Sequence, residues 1–331
     1  MISKSFPEVP IPHTDNVCKI ADFAELECLK QRDHNLSIAD VASAMGLPYG
    51  EDDEDRTHNS ISEAFQELEQ RLKHCGDADG RYPFCLNDRG DLLRFRGIGS
   101  DGLGLNYLYL LLATRLNMRD ERVHAGFNGA ELFEELSKEV AVRYLGGPAT
   151  SVGSVVYGTA RFGEASGDDE LDRHTFKDAV NSLCKQMGEG YGYKSHPDTR
   201  SRAKDDKLDV VAWRNFADSR SGKLIAFGQC KTGTHWDTEL TTLQPATFCN
   251  NWMEKAPLVK PVRLFFVTDR VPRVNWSNRC SAAGILFDRC RITEYVSGEY
   301  VAKDAQLPAI LSKNIGRWTR AAAKSKGLAL R

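Results

Sequence analysis

The segment 207–233, KLDVVAWRNFADSRSGKLIAFGQCKTG, constrains the fold more than any other part of the chain. Two apolar runs flank a polar centre at 218–222, so the segment predicts a β-hairpin. An amide, a thiol and a lysine follow the second run, 224–227, at once. Polar groups at the end of a buried strand are unfavourable unless they are satisfied or used. The end of this strand is therefore either a surface or the beginning of a site.

The position of the turn decides which side chains meet. A turn centred near Arg220 predicts that Asp209 and Lys231 face each other across the hairpin. Residues two apart in a strand share a face, so Gln229 joins Lys231 while Cys230 points the other way. Gln229 is then diagonal to Asp209 at about 7–8 Å, a gap that two side chains and a cation can span.

These residue types suit phosphodiester hydrolysis. The carboxylate of Asp209 and the amide oxygen of Gln229 are hard ligands of the kind that Mg²⁺ or Mn²⁺ prefers. Such a cation can polarise a phosphate and activate a bound water. Lys231 can position that water and neutralise charge in the transition state. Taken singly, each of the three is also explained as an ordinary strand residue.

Asp209, followed after the turn by Gln229-x-Lys231, resembles the PD-(D/E)XK nuclease superfamily, in the variant where glutamine replaces the acid. The resemblance covers roughly 128–295. It implies that Asp209 and Gln229 bind the metal ion and that Lys231 is the catalytic lysine. Two departures stand out: Leu208 occupies the position where a proline is expected, and a neutral Gln229 supplies less charge to hold a dication.

A fourth site residue follows from the same resemblance. The superfamily often carries a glutamate on the helix before the sheet, within a pattern like GxxxFExL. Gly129, Phe133, Glu134 and Leu136 stand in those positions here. The resemblance therefore implies that Glu134 is a further metal ligand, at the edge of an apolar helical stripe.

The remaining periodicity predicts an α/β protein. A helix, a hairpin and then strand-helix-strand is typical of a three-layer α/β plan, and the resemblance implies a restriction-endonuclease-like core with a mixed β-sheet. The predicted helices are 19–30, one beginning at 36 behind a serine cap, 60–74, 103–117, 128–147, 171–187, 248–254 and 276–283. The predicted strands are 191–193, 208–213, 224–230, 263–268 and 285–287, besides a hairpin within 82–95.

We divide the chain into four segments. Three helices followed by a hairpin resemble a winged helix-turn-helix, which gives a mainly helical, winged-helix-like module at 1–97. A buried connecting helix occupies 98–127, the nuclease-like domain 128–310, and a basic tail 311–331.

A glycine-rich stretch, 97–102, fits the GxGxxG pattern of dinucleotide-binding proteins. The preceding strand carries Arg94 and Arg96 where a central parallel strand would be apolar. We interpret the stretch as a hinge, and keep a dinucleotide-binding protein as an alternative.

Charge is distributed unevenly although the net charge is only −2. Acids outnumber bases up to residue 100, with EDDED at 51–55 the densest block, whereas the last nineteen residues, from 313, carry no acid. The acidic block would repel phosphates, so protein docking is at least as well supported as DNA binding for the N-terminal module. The basic end would attract polyanions, although a basic terminus is often merely solvated.

The remaining features of the composition indicate the class of protein and its compartment. With 41% hydrophobic residues, no apolar run of membrane-spanning length and no leader-like N-terminus, the chain predicts a cytoplasmic globular protein without a membrane partner. Nine cysteines without a CxxC pair are typical of buried thiols in a reducing compartment.

The sequence thus predicts a Mg²⁺- or Mn²⁺-dependent endonuclease with DNA as substrate, in a prokaryotic restriction or antiphage defence setting. We expect a regulatory protein partner to dock on the acidic N-terminal module. The sequence does not decide whether the protein forms a homodimer. Two alternatives remain besides the dinucleotide-binding one. The protein could be a catalytically inactive nucleic-acid-binding or scaffold protein, which the neutral Gln229 favours, or an RNA-directed nuclease toxin with the same site.

Overall fold

The computed structural model describes residues 16–46, 54–76, 80–99, 102–147, 152–156, 169–195, 207–297 and 307–330. The helices are α1 Val17–Lys30, α2 Ile38–Ala44, α3 Glu54–Cys75, α4 Gly104–Arg115, α5 Gly129–Tyr144, α6 Asp169–Met187, α7 Pro245–Trp252, α8 Trp276–Ala283, α9 Arg289–Ser297 and α10 Ala309–Ser325. The strands are β1 Asn35–Ser37, β2 Phe84–Leu86, β3 Leu92–Phe95, β4 Val123–His124, β5 Phe127–Asn128, β6 Val152–Val156, β7 Val210–Arg214, β8 Ile225–Lys231, β9 Val262–Val267 and β10 Ile285–Phe287.

A five-stranded mixed sheet with the order β10-β9-β8-β7-β6 organises the C-terminal half. β6, β7 and β8 form an antiparallel meander, and β9 and β10 run parallel to β8. The prediction of a mixed α/β architecture is confirmed. The predicted strand at 191–193 is wrong, because Tyr191 adopts a left-handed conformation and only Tyr193 makes a bridge, to Met253.

The edge strand β6 was not predicted. Its sequence, VGSVV, lies in a polar, glycine-rich region that gives little strand signal. Gly153 pairs with Trp213 of β7, and a Cβ at this glycine would overlap the Trp213 ring. The glycine is thus required by close packing across the ladder, a cause that the local sequence does not show.

Helices cover both faces of this sheet. Alternate strand residues belong to two separate apolar clusters, which places α5 and α9 against one face and α6 and α7 against the other. The first cluster takes Val210, Ala212, Ala226, Leu264 and Phe266 from the sheet, and the second takes Val211, Trp213, Ile225 and Phe227. Burial on both faces explains why these strands read as nearly continuous apolar runs.

The N-terminal segment contains the three helices and the hairpin predicted for it. Ser37 begins α2 with a reciprocal capping box to Asp40, as the serine cap indicated. A further strand, β1, pairs with β3, giving an antiparallel sheet with the order β1-β3-β2. α3 begins at Glu54, inside the acidic block, whose residues 51–53 lie outside the described residues.

The dinucleotide pattern lacks the context that it needs. Gly97, Gly99 and Gly102 have positive φ and lie between the antiparallel strand β3 and the helix α4. A dinucleotide fingerprint requires a parallel strand before the glycines. Within the described residues, these glycines lie in the connection between β3 and α4.

One apolar core joins the N-terminal helices to the C-terminal half. It includes side chains from Ile20 to Leu328, and α4 is buried from Gly104 to Thr114, as its apolar sequence predicted. Residues 311–331, predicted as a basic tail, contain most of helix α10, whose Trp318 is fully buried. Within the described ranges, no helix combines the length and the hydropathy needed to cross a lipid bilayer.

A buried charge cluster ties the same elements together. The carboxylate of Asp22 in α1 accepts hydrogen bonds from Arg71 of α3, Arg115 of α4 and Arg289 of α9, at 2.6–2.9 Å. Burial by itself would raise the pKa of Asp22, but the three guanidinium groups outweigh it and hold that pKa well below its usual range. Asp22 therefore stays ionised in the interior.

A disulfide also joins α3 to α9. Cys75 at the end of α3 bonds to Cys290 of α9, 215 residues away. The expectation of free thiols throughout is therefore wrong for this pair, whereas the other seven cysteines are free. Spacing alone could not reveal a pair so far apart.

Candidate functional site

The register of the β7-β8 hairpin differs from the predicted one. Val210 pairs with Gly228 and Trp213 with Ile225, which centres the turn on Ser219 rather than on Arg220. Ser219 adopts a left-handed conformation, which is uncommon for serine and is not predicted by the sequence.

The consequence for the site is a shift of two residues along β8. Extending the ladder by one position brings Gln229, not Lys231, opposite Asp209. The prediction that Asp209 and Lys231 face each other directly is wrong.

Asp209 lies where the ladder between β7 and β8 ends. Its N–H donates to the carbonyl of Gly228 at 2.9 Å, and its Oδ2 accepts the N–H of Cys230 at 2.7 Å. A side-chain carboxylate thus replaces the backbone acceptor that a continued ladder would supply. Asp209 is only 9% exposed, so this hydrogen bond fixes a carboxylate that is largely shielded from solvent, beside the polar end of β8.

Glu134 reaches the same part of β8 from α5. It stands between the buried Phe133 and Leu136, and its own side chain is 9% exposed. Burial raises the pKa of the Cys230 thiol well above its usual value, and the charges of Asp209 and Glu134 raise it further. The fold therefore brings the charges of both predicted carboxylates to bear on Cys230, whose thiol lies on the α5 face of β8, opposite to the face of Gln229 and Lys231.

The Gln229 side chain is fully buried and contacts the Thr242 hydroxyl, whose Oγ1 lies 3.0 Å from the amide oxygen. The same Oγ1 lies 2.8 Å from the carbonyl of Glu239. A hydroxyl carries one proton, and the carbonyl, which can only accept, takes it.

The Thr242 oxygen can then only accept from Gln229. Because the two ends of an amide are assigned from their hydrogen bonds, we orient the Gln229 amide with Nε2 toward Thr242, where it donates to Oγ1. The other polar atom of the amide has no partner among the described residues. In this orientation that atom is the oxygen, Oε1, a potential cation ligand.

Lys231 has a partner that the sequence analysis missed. Its Nζ lies 2.8 Å from Oε2 of Glu239, at the end of a short 3₁₀ helix, Trp236–Glu239. The hydrogen bond from Lys231 lowers the pKa of Glu239, against the effect of burial. The segment after β8 thus folds back so that Thr242 holds Gln229 and Glu239 holds Lys231, a contact that no short motif signals.

The 3₁₀ helix is anchored to the buried charge cluster. Trp236 is buried, and its Nε1 donates to Oδ2 of Asp269 at 3.1 Å, just after β9. Arg115 lies 3.4 Å from the other oxygen of Asp269 and also binds Asp22. A continuous set of contacts therefore runs from α1 to the turn that carries Glu239.

The donor set suits a hard divalent cation. Asp209 and Glu134 offer carboxylates whose charges both act on Cys230, and Gln229 offers an amide atom that no described residue satisfies. Within the described ranges no three His, Cys, Asp or Glu side chains form a metal-binding group. Asp209 and Gln229 alone supply one carboxylate and one amide, residue types that suit Mg²⁺ or Mn²⁺.

Comparisons with known proteins add little to this geometry. No protein-family model matches the chain, and no curated protein matches it. A similar solved structure is the crystal structure of protein VC1899 from Vibrio cholerae, at 14% identity over 95% of this chain and 84% of that chain, with a TM-score of 0.17. At that TM-score the similarity supports no conclusion about fold or function.

Proposed function

We propose that this protein is a metal-dependent DNA endonuclease of the PD-(D/E)XK type that hydrolyses phosphodiester bonds. One observation carries the proposal: the register of the hairpin brings Gln229 opposite Asp209 at the end of the ladder, with Lys231 two residues further along β8. Three residue types that suit phosphodiester hydrolysis are thereby gathered at one end of β8, and Glu134 approaches the same strand at Cys230, on the face that α5 covers.

The order of elements supports the same proposal. Helix α5 precedes the meander β6-β7-β8, helix α7 follows it, and β9 returns parallel to β8. This agrees with the restriction-endonuclease-like core that the resemblance implies, a helix before the sheet, a hairpin and then strand-helix-strand. A helix, α6, is inserted between β6 and β7.

The proposed roles follow from the contacts. Asp209, Glu134 and Gln229 would hold Mg²⁺ or Mn²⁺, which when bound supplies polarisation of the phosphate and a more acidic water. Lys231 would position the attacking water and neutralise charge on the phosphate. Glu239 orients Lys231 in the free protein through their ion pair.

The setting that we propose is prokaryotic restriction or antiphage defence, with a protein partner that docks on the winged-helix-like N-terminal module. The support is the three-helix, three-strand arrangement of that module and the acidic sequence at 51–55. Replacing the acids of this block by their amides should weaken partner binding without changing unregulated DNA cleavage. Unchanged partner binding would remove the docking proposal.

Plasmid cleavage tests the nuclease proposal directly. Supercoiled plasmid is incubated with wild type, Asp209→Asn and Lys231→Ala in Mg²⁺, in Mn²⁺ and in EDTA. Asparagine is preferred to alanine at 209 because its side-chain oxygen can still accept the N–H of Cys230. We expect wild type alone to nick or linearise the plasmid, and only with a divalent cation.

Cleavage by all three proteins would identify a contaminant or another site and would remove the proposal. Side-by-side digestion of duplex DNA, single-stranded DNA and RNA separates the DNA endonuclease from an RNA-directed nuclease. Isothermal titration of Mg²⁺ into wild type and Asp209→Asn separates an active site from a scaffold that has lost its metal.

A further inference from the structure

Helix α10 carries a line of exposed basic side chains. Lys313, Arg317, Arg320 and Lys324 are all exposed, and they are spaced four, three and four residues apart. At 3.6 residues per turn this spacing keeps the four within an arc of about 60° and extends them over about 16 Å. We call these four residues the α10 basic stripe.

The stripe is not neutralised by the rest of the described protein. None of its four side chains lies within 4.0 Å of a carboxylate among the described residues, and α10 itself contains no acid. The neighbouring Lys326, by contrast, pairs with Glu121 at 2.7 Å. Arg317 lies over the Phe127 ring at 5.0 Å, which steadies its guanidinium without reducing its charge.

The opposite side of α10 anchors the helix to the rest of the protein. Ile315, Trp318 and Ala322 are fully buried in the main core, and Trp318 Nε1 donates to the carbonyl of Arg122 at 2.9 Å. The basic side chains therefore project from a fixed scaffold rather than from a loose terminus. Binding through them needs little further ordering of the backbone.

The burial of the apolar side argues against a membrane as the partner. Amphipathic helices that lie on lipid insert their apolar face into the bilayer. In α10 that face is occupied by the protein's own core. The exposed side of α10 therefore carries the line of positive charge, and Ile310 in the first turn is its exposed large apolar side chain.

We propose that the α10 basic stripe binds the phosphate backbone of duplex DNA. The duplex carries about one negative charge per 1.7 Å of axis, so the length of the stripe spans about ten phosphates. The identity of the bound polymer rests on the proposed nuclease function, but the binding itself needs neither a divalent cation nor cleavage.

The test is the salt dependence of DNA binding by the full chain in EDTA, where no cleavage occurs. A short fluorescein-labelled duplex is titrated with wild type and with the stripe variant K313Q/R317Q/R320Q/K324Q, and anisotropy is followed between about 50 and 200 mM NaCl. Each lost phosphate contact should reduce the slope of log K against log salt by about 0.9. We expect the variant to bind at least about tenfold more weakly at 100 mM NaCl and to lose a slope of about 2–4.

The matched control removes the same charge elsewhere. K177Q/K185Q/R220Q/K260Q neutralises four other exposed bases, so a general effect of net charge would change it equally. Circular dichroism verifies that both variants keep the wild-type fold. Equal slopes for stripe and control variants would overturn the proposal, as would loss of binding to phosphatidylserine vesicles with unchanged DNA binding.

The outcome is separable from that of the nuclease proposal. DNA binding that depends on the stripe, in a protein that does not cut plasmid, would keep this inference and remove the nuclease. Cleavage and binding that the stripe variant retains in full would do the reverse.

Discussion

Lys231 and Glu239 form an ion pair, with Nζ 2.8 Å from Oε2, across the turn that follows β8. The pair is partly exposed, at 24% for the lysine side chain and 35% for the glutamate. It therefore adds little to stability, about 0–1 kcal/mol, and its importance lies in where it holds the lysine.

Replacing Glu239 tests this positioning role. Glu239→Gln should slow plasmid cleavage by about tenfold, while Lys231→Ala should slow it by about 10²–10³, because a lost charge donor is worth more than a misplaced one. The midpoint of thermal unfolding should change little for either variant. Glu135→Gln, which breaks a similar ion pair with Lys138 on α5, is the control and should leave the rate unchanged.

Acid pH provides a second readout for the same pair. Because the pKa of Glu239 is lowered in the folded protein, the contribution of the pair is fully present above the ordinary glutamate pKa and is lost as the pH falls through the lowered value. Wild type and Glu239→Gln should therefore differ in rate at neutral pH and converge in acid. A constant ratio at every pH would show that Glu239 does not act through its charge.

Gln229 offers a test of the cation site that does not depend on activity. A carboxylate in this buried position would have a raised pKa, so Gln229→Glu should lose stability in EDTA as the pH rises through that value. A dication bound beside it should restore the loss, which thermal unfolding with and without Mg²⁺ or Mn²⁺ would show. Gln244→Glu, at an exposed position, is the control and should be insensitive to the metal ion. If divalent ions fail to restore Gln229→Glu, the amide does not face a cation site.

The thiol of Cys230 can report on the two carboxylates. Burial raises its pKa most, followed by Asp209 and Glu134, so Glu134→Gln should lower that pKa and speed alkylation of Cys230 at a fixed pH. Peptide mapping by mass spectrometry after iodoacetamide treatment measures the rate. Cys249 is the internal control, because burial and Cys184 raise its pKa to about 12 and Glu134 does not contribute. Equal labelling of Cys230 in both proteins would show that Glu134 does not lie beside the Cys230 thiol.

Asp22 should be one of the most sensitive positions for stability. Asp22→Asn leaves three buried guanidinium groups without their shared carboxylate, and we expect a loss of about 3–5 kcal/mol in the free energy of unfolding. Since the pKa of Asp22 lies well below its usual range, its contribution is present above the ordinary aspartate pKa and persists in mild acid. The deficit should therefore be equal at pH 7 and at about pH 5.

Urea unfolding at the two pH values measures the deficit. Asp88→Asn, in the exposed β2-β3 turn, removes the same charge and should change the free energy of unfolding by less than about 0.5 kcal/mol. A small effect of Asp22→Asn would mean that the arginines find other partners.

Elements with strong local signals could be predicted from the sequence. The bounds of α8 and β10 agree with the prediction to the residue, because apolar periodicity and the glycine between them, Gly284, are both local. The basic composition of 311–331 predicts a tail, whereas the structure has helix α10 there, with Ile315, Trp318 and Ala322 on one buried face. The spacing of these three residues, three and four apart, is the helical signal that the sequence carries for that face.

The candidate site could be predicted as a set of residue types but not as a geometry. The sequence indicated Asp209, Gln229 and Lys231, but their register depends on the conformation of Ser219, which no composition rule gives. The sequence does not indicate Glu239, because its contact with Lys231 depends on a reversal of the chain after β8. The hydrogen bond between Trp236 and Asp269, which are far apart in sequence, fixes this reversal. Long-range contacts of this kind are set by tertiary packing and leave no short pattern.

The buried Asp22 also has a consequence for how the protein is made. Its three arginine partners lie 49, 93 and 267 residues further along the chain. A ribosome delivers the N-terminal helices first. The carboxylate must then wait, hydrated, until Arg289 has emerged near the end of translation, so the first helix of the nascent protein can reach its final environment only when almost the last one has been synthesised.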